Sequence, residues 1–349
     1  MRIVLTGGGT GGHVIPNLAV IEELKSRGEN NILYIGSKNG IEKNLIKKAG
    51  VDYEGVHTGK LRRYFSWENF WDTLKVPLGI ISSIKILKKY DPDVIFSKGG
   101  YVSVPVMAAG YYLKVPIITH ESDIVPGMAN KIGFKMAKKI CLSFEKSKDY
   151  IADDLKRKVI VTGTPIRKDI FKGNENEGYR FTGFDRYRPV ILVMGGSRGA
   201  MQINELVRSS LDELLRHYQI VHLVGRGNID ISLHKKGYKQ FEYLNEEMKD
   251  VYAISKMVIS RGGANSLSEI AALKKKALII PLGKASSRGD QIDNAEYFCK
   301  KFGWSVLSGE ISREQFIDAI KMALKNEFIG GNFKNGCREI VDLILNKGR

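Results

Sequence analysis

The chain has 349 residues, 43% of them hydrophobic and 27% charged, enough for two domains of about 150 residues each and too apolar for a disordered polymer. Three cysteines (Cys141, Cys299 and Cys337) are widely spaced and form no CxxC pair. This excludes a disulfide scaffold and reads as free thiols in a reducing compartment. Fifty-five Lys and Arg against 38 Asp and Glu leave a formal charge of +17; shared by both halves and without a basic tail, it favours a phosphorylated or lipid anion over nucleic acid.

The opening MRIVLTGGG enters a strand pattern at once, so no signal peptide is expected. The most apolar stretch, 102–119, is interrupted by Pro105, Lys114 and Pro116, short of the ~20 residues of a membrane span. A soluble or peripheral protein made in the cytosol is expected. Arg2–Thr6 reads as a strand, Gly7–His13 (GGGTGGH) as a glycine loop and Pro16–Arg27 as an amphipathic helix. Short strands are predicted at 31–35, 94–97 (ending in KGGY) and 116–119 (ending in HES), and a last one at 159–162 runs into GTPIR. The opening theme then returns: strand 189–194, glycine loop Gly195–Ala200 (GGSRGA), helix 202–217, and strands at 219–224, 257–260 and 277–281. Segments 310–324 and 337–346 read as helices.

Short apolar runs alternating with helical periods argue for βαβ units and parallel sheets. The reading is α/β: two Rossmann-like, doubly wound domains facing across a cleft, over residues 1–162 and 163–336, with the helix of 337–349 rejoining the first. Ligands of such sheets sit beyond the carboxyl ends of the strands, and there this sequence carries its unusual loops.

Gly7, Gly9 and Gly12 satisfy GxGxxG, a weak signal alone, but five glycines fill six positions. Such a loop lets backbone N–H groups converge on a phosphate at a helix start; tight helix–strand packing would explain one or two of the glycines. No GK[ST] follows, so it is not a P-loop. Residues 36–38 (Gly-Ser-Lys) offer no acid for a dinucleotide ribose, so a nicotinamide cofactor is not expected. His13, next to the loop, suits a general base near neutral pH. GGSRGA, with Ser197, is a second anion cradle, and Arg261–Ser266 before the helical LSEIAAL a third. Glu269 lies three residues after Ser266, so it reads either as a capping-box partner or as the acceptor of two ribose hydroxyls. Asp290, Gln291 and Asn294 at a helix start suit the hydroxyls of a sugar, with plain N-capping by Asp290 as the alternative. His120-Glu121-Ser122-Asp123 forms another polar cluster, in which Glu121 is a second catalytic candidate; an exposed polar loop competes with that reading. No Cys/His cluster has metal-ligand spacing, and Asp91-Pro92-Asp93 reads as a turn at a strand entry. Phe65, Trp67, Phe70 and Trp71, followed by Leu78 and Ile81 and fringed by Arg62, Arg63, Lys85, Lys88 and Lys89, suit a membrane-interface patch, although part of the stripe must serve the core.

Taken in order, TGGGTGGHVIPNLAV, SKGGYVSVP, HESDIVPGMANK, GTPIR, GGSRGA, SRGGANSLSEIAAL and SRGDQIDNA span Thr6 to Ala295. Together they resemble the MurG family, the UDP-N-acetylglucosamine:lipid I N-acetylglucosaminyltransferases of bacterial cell-wall synthesis. The resemblance implies a GT-B fold, with the lipid-linked acceptor on the first domain and UDP-GlcNAc on the second. It places Gly11, Gly12 and His13 in the acceptor-side loop with His13 the favoured base, and makes Thr10, Gly11 and Gly12 donor contacts as well. Gly9, Gly99, Gly100, Tyr101 and Asp123 fall to the acceptor. Arg167 and Leu244 fall by the uracil; Ser197 with the backbone of Ala264, Asn265 and Ser266 at the diphosphate; Glu269 at the ribose; and Asp290, Gln291 and Asn294 at the GlcNAc. Arg198, Asp123 and Asp290 depart from residues common in the family.

The implied reaction is a single inverting displacement by the 4-hydroxyl of the acceptor's MurNAc, giving lipid II, with no cofactor and no metal. The implied partners are UDP-GlcNAc, undecaprenyl-pyrophosphoryl-MurNAc-peptide and an anionic membrane surface, with no nucleic acid, and the implied location is the cytoplasmic face of the bacterial cell membrane. A glycolipid synthase or a UDP-GlcNAc 2-epimerase shares the same general plan. A Rossmann oxidoreductase is opposed by the missing ribose acid and the second glycine loop, and a nucleic-acid module by the even spread of basic residues.

Overall fold

The computed structural model describes residues 1–9, 11–40, 42–58, 67–196, 199–283 and 289–348, and for 67–75 the backbone only. The chain divides into two compact units, Met1–Arg167 with Lys334–Arg349, and Lys168–Phe333.

In the first unit β1 (Ile3–Thr6), β2 (Ile32–Ser37), β3 (Asp52–Val56), β4 (Val94–Ser97), β5 (Ile117–Glu121), β6 (Lys139–Leu142) and β7 (Val159–Val161) form one sheet in the order β3-β2-β1-β4-β5-β6-β7. Every pairing is parallel. Its helices are α1 (Gly11–Ser26), α2 (Glu42–Lys48), α3 (Trp67–Tyr90), α4 (Ser103–Tyr112), α5 (Met128–Met136) and the short α6 (Asp153–Lys156). The strand side chains alternate between two cores, as a period of two requires when both faces are covered. Ile3, Leu5, Tyr34 and Phe96 pack with Val20 and Leu24 of α1. Val4, Ile35, Ile95 and Ile117 pack with Val106 and Met107 of α4 and Phe134 of α5.

The second unit carries β8 (Val190–Met194), β9 (Gln219–Leu223), β10 (Tyr238–Phe241), β11 (Ser255–Ser260), β12 (Lys276–Ile279) and β13 (Ser305–Val306), a parallel sheet in the order β10-β9-β8-β11-β12-β13. Its helices are α7 (Glu175–Thr182), α8 (Met201–Leu214), α9 (Met248–Ile254), α10 (Ala264–Ala272), α11 (Asp290–Phe302) and α12 (Arg313–Lys325). Ile191, Val193, Met257, Ile259 and Leu278 meet Ile203 and Val207 of α8 and Phe316 and Ile320 of α12. The chain then returns to the first unit as α13 (Cys337–Leu345), whose Ile340, Val341 and Ile344 are buried in the core of α1.

In each sheet the strand order reverses at one place, between β1 and β4 and between β8 and β11. The registers Thr6↔Ser97 and Met194↔Ser260 bring the loops after those strands out at the same level. Such a switch point opens a crevice at the carboxyl ends, because the helices that follow diverge to opposite faces. The sequence reading lacks β3, β6, β10 and β13. These are the short or peripheral strands, and β3 alternates polar and apolar residues instead of forming an apolar run.

Candidate active site

At the switch point of the first unit, the loop after β1 interlocks with the KGGY turn after β4. Gly9 has φ +88°, and a Cβ there would stand 2.3 Å from the Tyr101 ring. Gly100 has φ +82°, and a Cβ there would stand 2.5 Å from the Gly8 carbonyl and 2.9 Å from Cδ2 of His13. Only glycine fits these two positions, on conformation and on space alike. Gly11, Gly12 and His13 form the first turn of α1, so the loop delivers a helix N-terminus to the crevice. His13 Nδ1 stands 3.3 Å from the Lys98 carbonyl. A carbonyl only accepts, so Nδ1 is the donor in this contact, and Nε2 lies on the edge that faces Gly100.

Beside this loop, Lys98 and Glu121 are two buried side chains of opposite charge. Lys98 is 1% exposed and donates from Nζ to Ser122 Oγ at 2.5 Å. Burial pulls its ammonium down to about 8, opposed by the negative charge of Glu121 and Asp123. Glu121 is 3% exposed. Its Oε1 accepts from the backbone N–H groups of Ser122 and Asp123, and its Oε2 from the Gly127 N–H and the Asn130 side-chain amide. Four donors thus hold the carboxylate, which fixes the turn between β5 and α5. That corrects one reading of the sequence: with His120, Glu121 and Ser122 buried, the cluster is not an exposed polar loop. Gly99 packs against Asn130, which ties the same turn to the KGGY loop. The sequence reading passed over Lys98, which lies inside the KGGY signature; a lysine abutting two apolar strand ends was the available signal. It also passed over Glu42, whose Oε1 accepts from the Ser37 N–H and hydroxyl at the end of β2, beneath Gly8.

At the switch point of the second unit, α10 begins at Ala264 with Gly263 as its N-cap and no side-chain cap. Ser266 is therefore inside the helix, so Ser266 and Glu269 are not a capping box. Glu269 stands one turn further on, and Oε2 accepts from the Tyr252 hydroxyl at 3.3 Å. Tyr252 lies on α9, 1% exposed, with its hydroxyl 3.5 Å from Met194 Sδ at the end of β8. Ala264, Asn265 and Ser266 contribute the first-turn N–H groups of α10, the partial positive end of its dipole. Leu244 is half-buried in the segment after β10.

α11 begins at Asp290 with Gly289 as N-cap (φ +86°), so Asp290 is the first helical residue and not the cap. Gln291 Oε1 accepts from the Leu282 N–H at 3.1 Å. Asn294 is fully buried and donates to the Gly262 carbonyl at 3.1 Å, shaping the turn that leads into α10. Arg167 ends the first unit's main segment, next to Ile166, whose backbone is bound on both sides by the Asn335 amide. Asp91-Pro92-Asp93 sits at the amino end of β4, where Asp93 accepts from the Arg2 N–H and from Lys347. Thr10, Ser197, Arg198 and Phe65, and the side chains of Trp67, Phe70 and Trp71, lie outside the described residues.

Residues 3–142 match the glycosyltransferase family 28 N-terminal domain, and residues 190–328 its C-terminal domain. The UDP-N-acetylglucosamine–N-acetylmuramyl-(pentapeptide) pyrophosphoryl-undecaprenol N-acetylglucosamine transferase of Clostridium tetani is 46% identical, over 98% of this chain and 97% of its own. The second transferase of that name from Bacillus cereus is 51% identical, over 88% of this chain and 87% of its own. Among solved structures, MurG of Acinetobacter baumannii (22% identity, TM-score 0.69) covers 99% of this chain and 100% of its own. The UDP-GlcNAc 2-epimerase of Neisseria meningitidis bound to UDP-GlcNAc has the same coverage, with 15% identity and TM-score 0.69. These two share the fold, two Rossmann-like parallel-sheet domains of the GT-B kind. With both domain matches in place and nearly half of its residues identical to full-length relatives, the chain belongs to glycosyltransferase family 28 and, within it, to the MurG family.

Proposed function

We propose that this chain transfers GlcNAc from UDP-GlcNAc to the 4-hydroxyl of the MurNAc of undecaprenyl-pyrophosphoryl-MurNAc-peptide, forming lipid II for peptidoglycan. The observation that carries this reading is the pair of unlike switch points. One offers a histidine held through Nδ1 against the Lys98 carbonyl beside interlocked glycine loops. The other offers an uncapped helix N-terminus with a carboxylate one turn along, suited to a nucleoside diphosphate. The acceptor hydroxyl attacks the anomeric carbon from the face opposite the leaving UDP, and Nε2 of His13 takes its proton. The N-terminus of α10 receives the charge that develops on the diphosphate, and Glu269 accepts from the ribose hydroxyls. Lys98, Glu121 and Asn130 hold the loops around His13. The test is transfer of radiolabelled GlcNAc from UDP-GlcNAc to a short-chain lipid I analogue, with UDP release measured alongside. Release of UDP or epimerised sugar without a labelled lipid product would overturn the assignment.

A polyprenyl acceptor calls for a membrane-docking face on the first unit. Leu78 and Ile81 of α3 are 55% and 52% exposed, and Tyr111 and Tyr112 at the end of α4 are 62% and 71% exposed; α3 packs on α4. Lys85 and Lys88 of α3 stand exposed, as does Lys114, two residues past the end of α4. Apolar side chains fringed by cations suit insertion among anionic headgroups, which supports a peripheral position of the enzyme at the cytoplasmic face of the membrane. No helix among the described residues is long and apolar enough to cross a membrane. Leu78→Ser with Ile81→Ser is expected to weaken sedimentation with phosphatidylglycerol vesicles at least tenfold. Undiminished binding would move the contact elsewhere.

A further inference from the structure

Lys98 follows β4 directly, at the switch point of the first unit, and is 1% exposed. Three attachments fix it. Its N–H donates to the Thr6 carbonyl at the end of β1 (2.9 Å), its carbonyl faces His13 Nδ1 (3.3 Å), and its Nζ donates to Ser122 Oγ (2.5 Å). The glycine loop closes over the same residue, where a Cβ on Gly7 would stand 3.2 Å from the Lys98 Cβ. One residue thus joins the backbone that orients His13 to the turn between β5 and α5.

An apolar side chain would fill this space without taking a charge out of water, which is costly unless opposite charge is near. Two acids at that turn supply it, Glu121 and Asp123. Glu121 already accepts from three backbone N–H groups and the Asn130 amide, so it needs no further donor. What the ammonium adds is charge. With it, two carboxylates two residues apart share a cation; without it, they repel each other. The other titratable groups that act on Lys98, or on which it acts, are His120 and Cys141. Burial, and then the Lys98 charge, keeps the His120 ring neutral, with Nε2 donating to the Gly163 carbonyl. Burial pushes the Cys141 thiol of β6 up to about 12. Neither changes charge just above neutral pH, where the lysine does.

We propose that the positive charge of Lys98 holds His13 in its working position, which makes Lys98 a positioning residue and its ammonium an alkaline switch on transfer. This rests on the reading of His13 as the base. Burial pulls the ammonium from 10.5 down to about 8, so the charge is present below that pH and lost above it. The fold is not lost with it. Between about pH 8 and 10.5 the unfolded chain keeps a proton that the folded core has given up, so this group's contribution to stability rises across that window. An alkaline fall in turnover from this lysine is therefore a loss of position.

The test is kcat for GlcNAc transfer to a short-chain lipid I analogue at saturating substrates, from about pH 7 to about 9.5, for wild type, Lys98→Met, Lys98→Arg and His13→Ala. The 15Nζ resonance of Lys98 is followed over the same range in wild type. Wild-type kcat should fall on the alkaline side with the midpoint of that resonance. Lys98→Met should be about 100-fold slower at neutral pH, the scale of a misplaced catalytic group, with the KM for UDP-GlcNAc within about threefold of wild type. It should show no alkaline fall. Lys98→Arg, whose guanidinium stays charged throughout, should lose the alkaline fall as well. Wild-type kcat that stays level while the lysine titrates would overturn the proposal. So would an alkaline fall that persists in Lys98→Met, or full kcat in that variant. If either Lys98 variant does not fold, the match between wild-type kcat and the lysine resonance decides. Full kcat in His13→Ala would overturn the base reading itself, whereas a slow His13→Ala beside an unimpaired Lys98→Met would remove only the role of Lys98.

Discussion

The Tyr252 hydroxyl lies 3.3 Å from Oε2 of Glu269, joining α9 to the second turn of α10. The tyrosine is buried, so its hydrogen bond fixes the side chain proposed to meet the ribose. Tyr252→Phe removes one hydrogen bond to a charged acceptor, about 1.5–3 kcal/mol. UDP affinity is expected to fall by about tenfold or more, and affinity for 2′,3′-dideoxyuridine diphosphate to stay as it was. Equal losses for both nucleotides in titration calorimetry would make Tyr252 a packing residue only.

With its Nδ1 proton directed at the Lys98 carbonyl, His13 presents one nitrogen to a substrate hydroxyl. His13→Ala is expected to lower kcat by about 10²- to 10⁴-fold, the range of a lost general base, with the KM for UDP-GlcNAc within about threefold. Steady-state kinetics on a lipid I analogue check this. A raised KM at full kcat would make the residue a binding group.

Glu121 faces four donors and lies near the buried Lys98 ammonium. Glu121→Gln replaces one acceptor oxygen by an NH2 group that must point at another donor, and it removes the charge that partly supports the ammonium. The variant is expected to be less stable by about 2–3 kcal/mol, and the Lys98 ammonium, already pulled down by burial, to titrate lower still. Urea unfolding reads the first effect and the 15Nζ resonance of Lys98 across pH the second. An unmoved lysine titration would show that the two groups do not share charge.

His222 is buried in the second unit, with Nε2 donating to Asn204 Oδ1 at 3.0 Å and Nδ1 accepting from the Tyr238 hydroxyl at 2.9 Å. Burial, with a smaller push from Arg208, lowers its pKa from 6.5 to about 3. Above pH 6.5 the ring is neutral folded and unfolded. Between pH 6.5 and about 3 the unfolded chain gains a proton that the folded core refuses, so stability falls with acid by about 1.4 kcal/mol per pH unit. From pH 7 to pH 5, protection of the β9 amides against hydrogen exchange should therefore drop by about 2 kcal/mol more in wild type than in His222→Gln. An equal drop in both would assign the proton to another group.

The architecture was legible where burial on both faces turns a strand into an unbroken apolar run, as in Ile3–Thr6 and Val190–Met194. The glycine loops were legible because few other reasons collect so many glycines before a helix. What stayed hidden depends on contacts between residues far apart in the chain. Nothing local to Tyr252 says that its hydroxyl meets Glu269, and nothing in RGGANS says that the Arg261 guanidinium donates to Gln202 Oε1 and the Ile280 carbonyl. Asn294, Gln291 and Glu121 were recognised as polar residues at helix starts and strand ends. Their hydrogen bonds to Gly262, Leu282 and Gly127 show that the same residue types also serve to brace a turn.

The return of α13 to the first unit bears on biosynthesis. Ile340, Val341 and Ile344 complete a core begun by Ile3 and Leu5, and Arg27 of the region after α1 is paired with Asp342. The ribosome therefore finishes the second unit, a contiguous stretch of chain, before it releases the last helix that the first unit requires. The amino-terminal half waits with an apolar groove uncovered until that helix has emerged, a window for chaperone engagement.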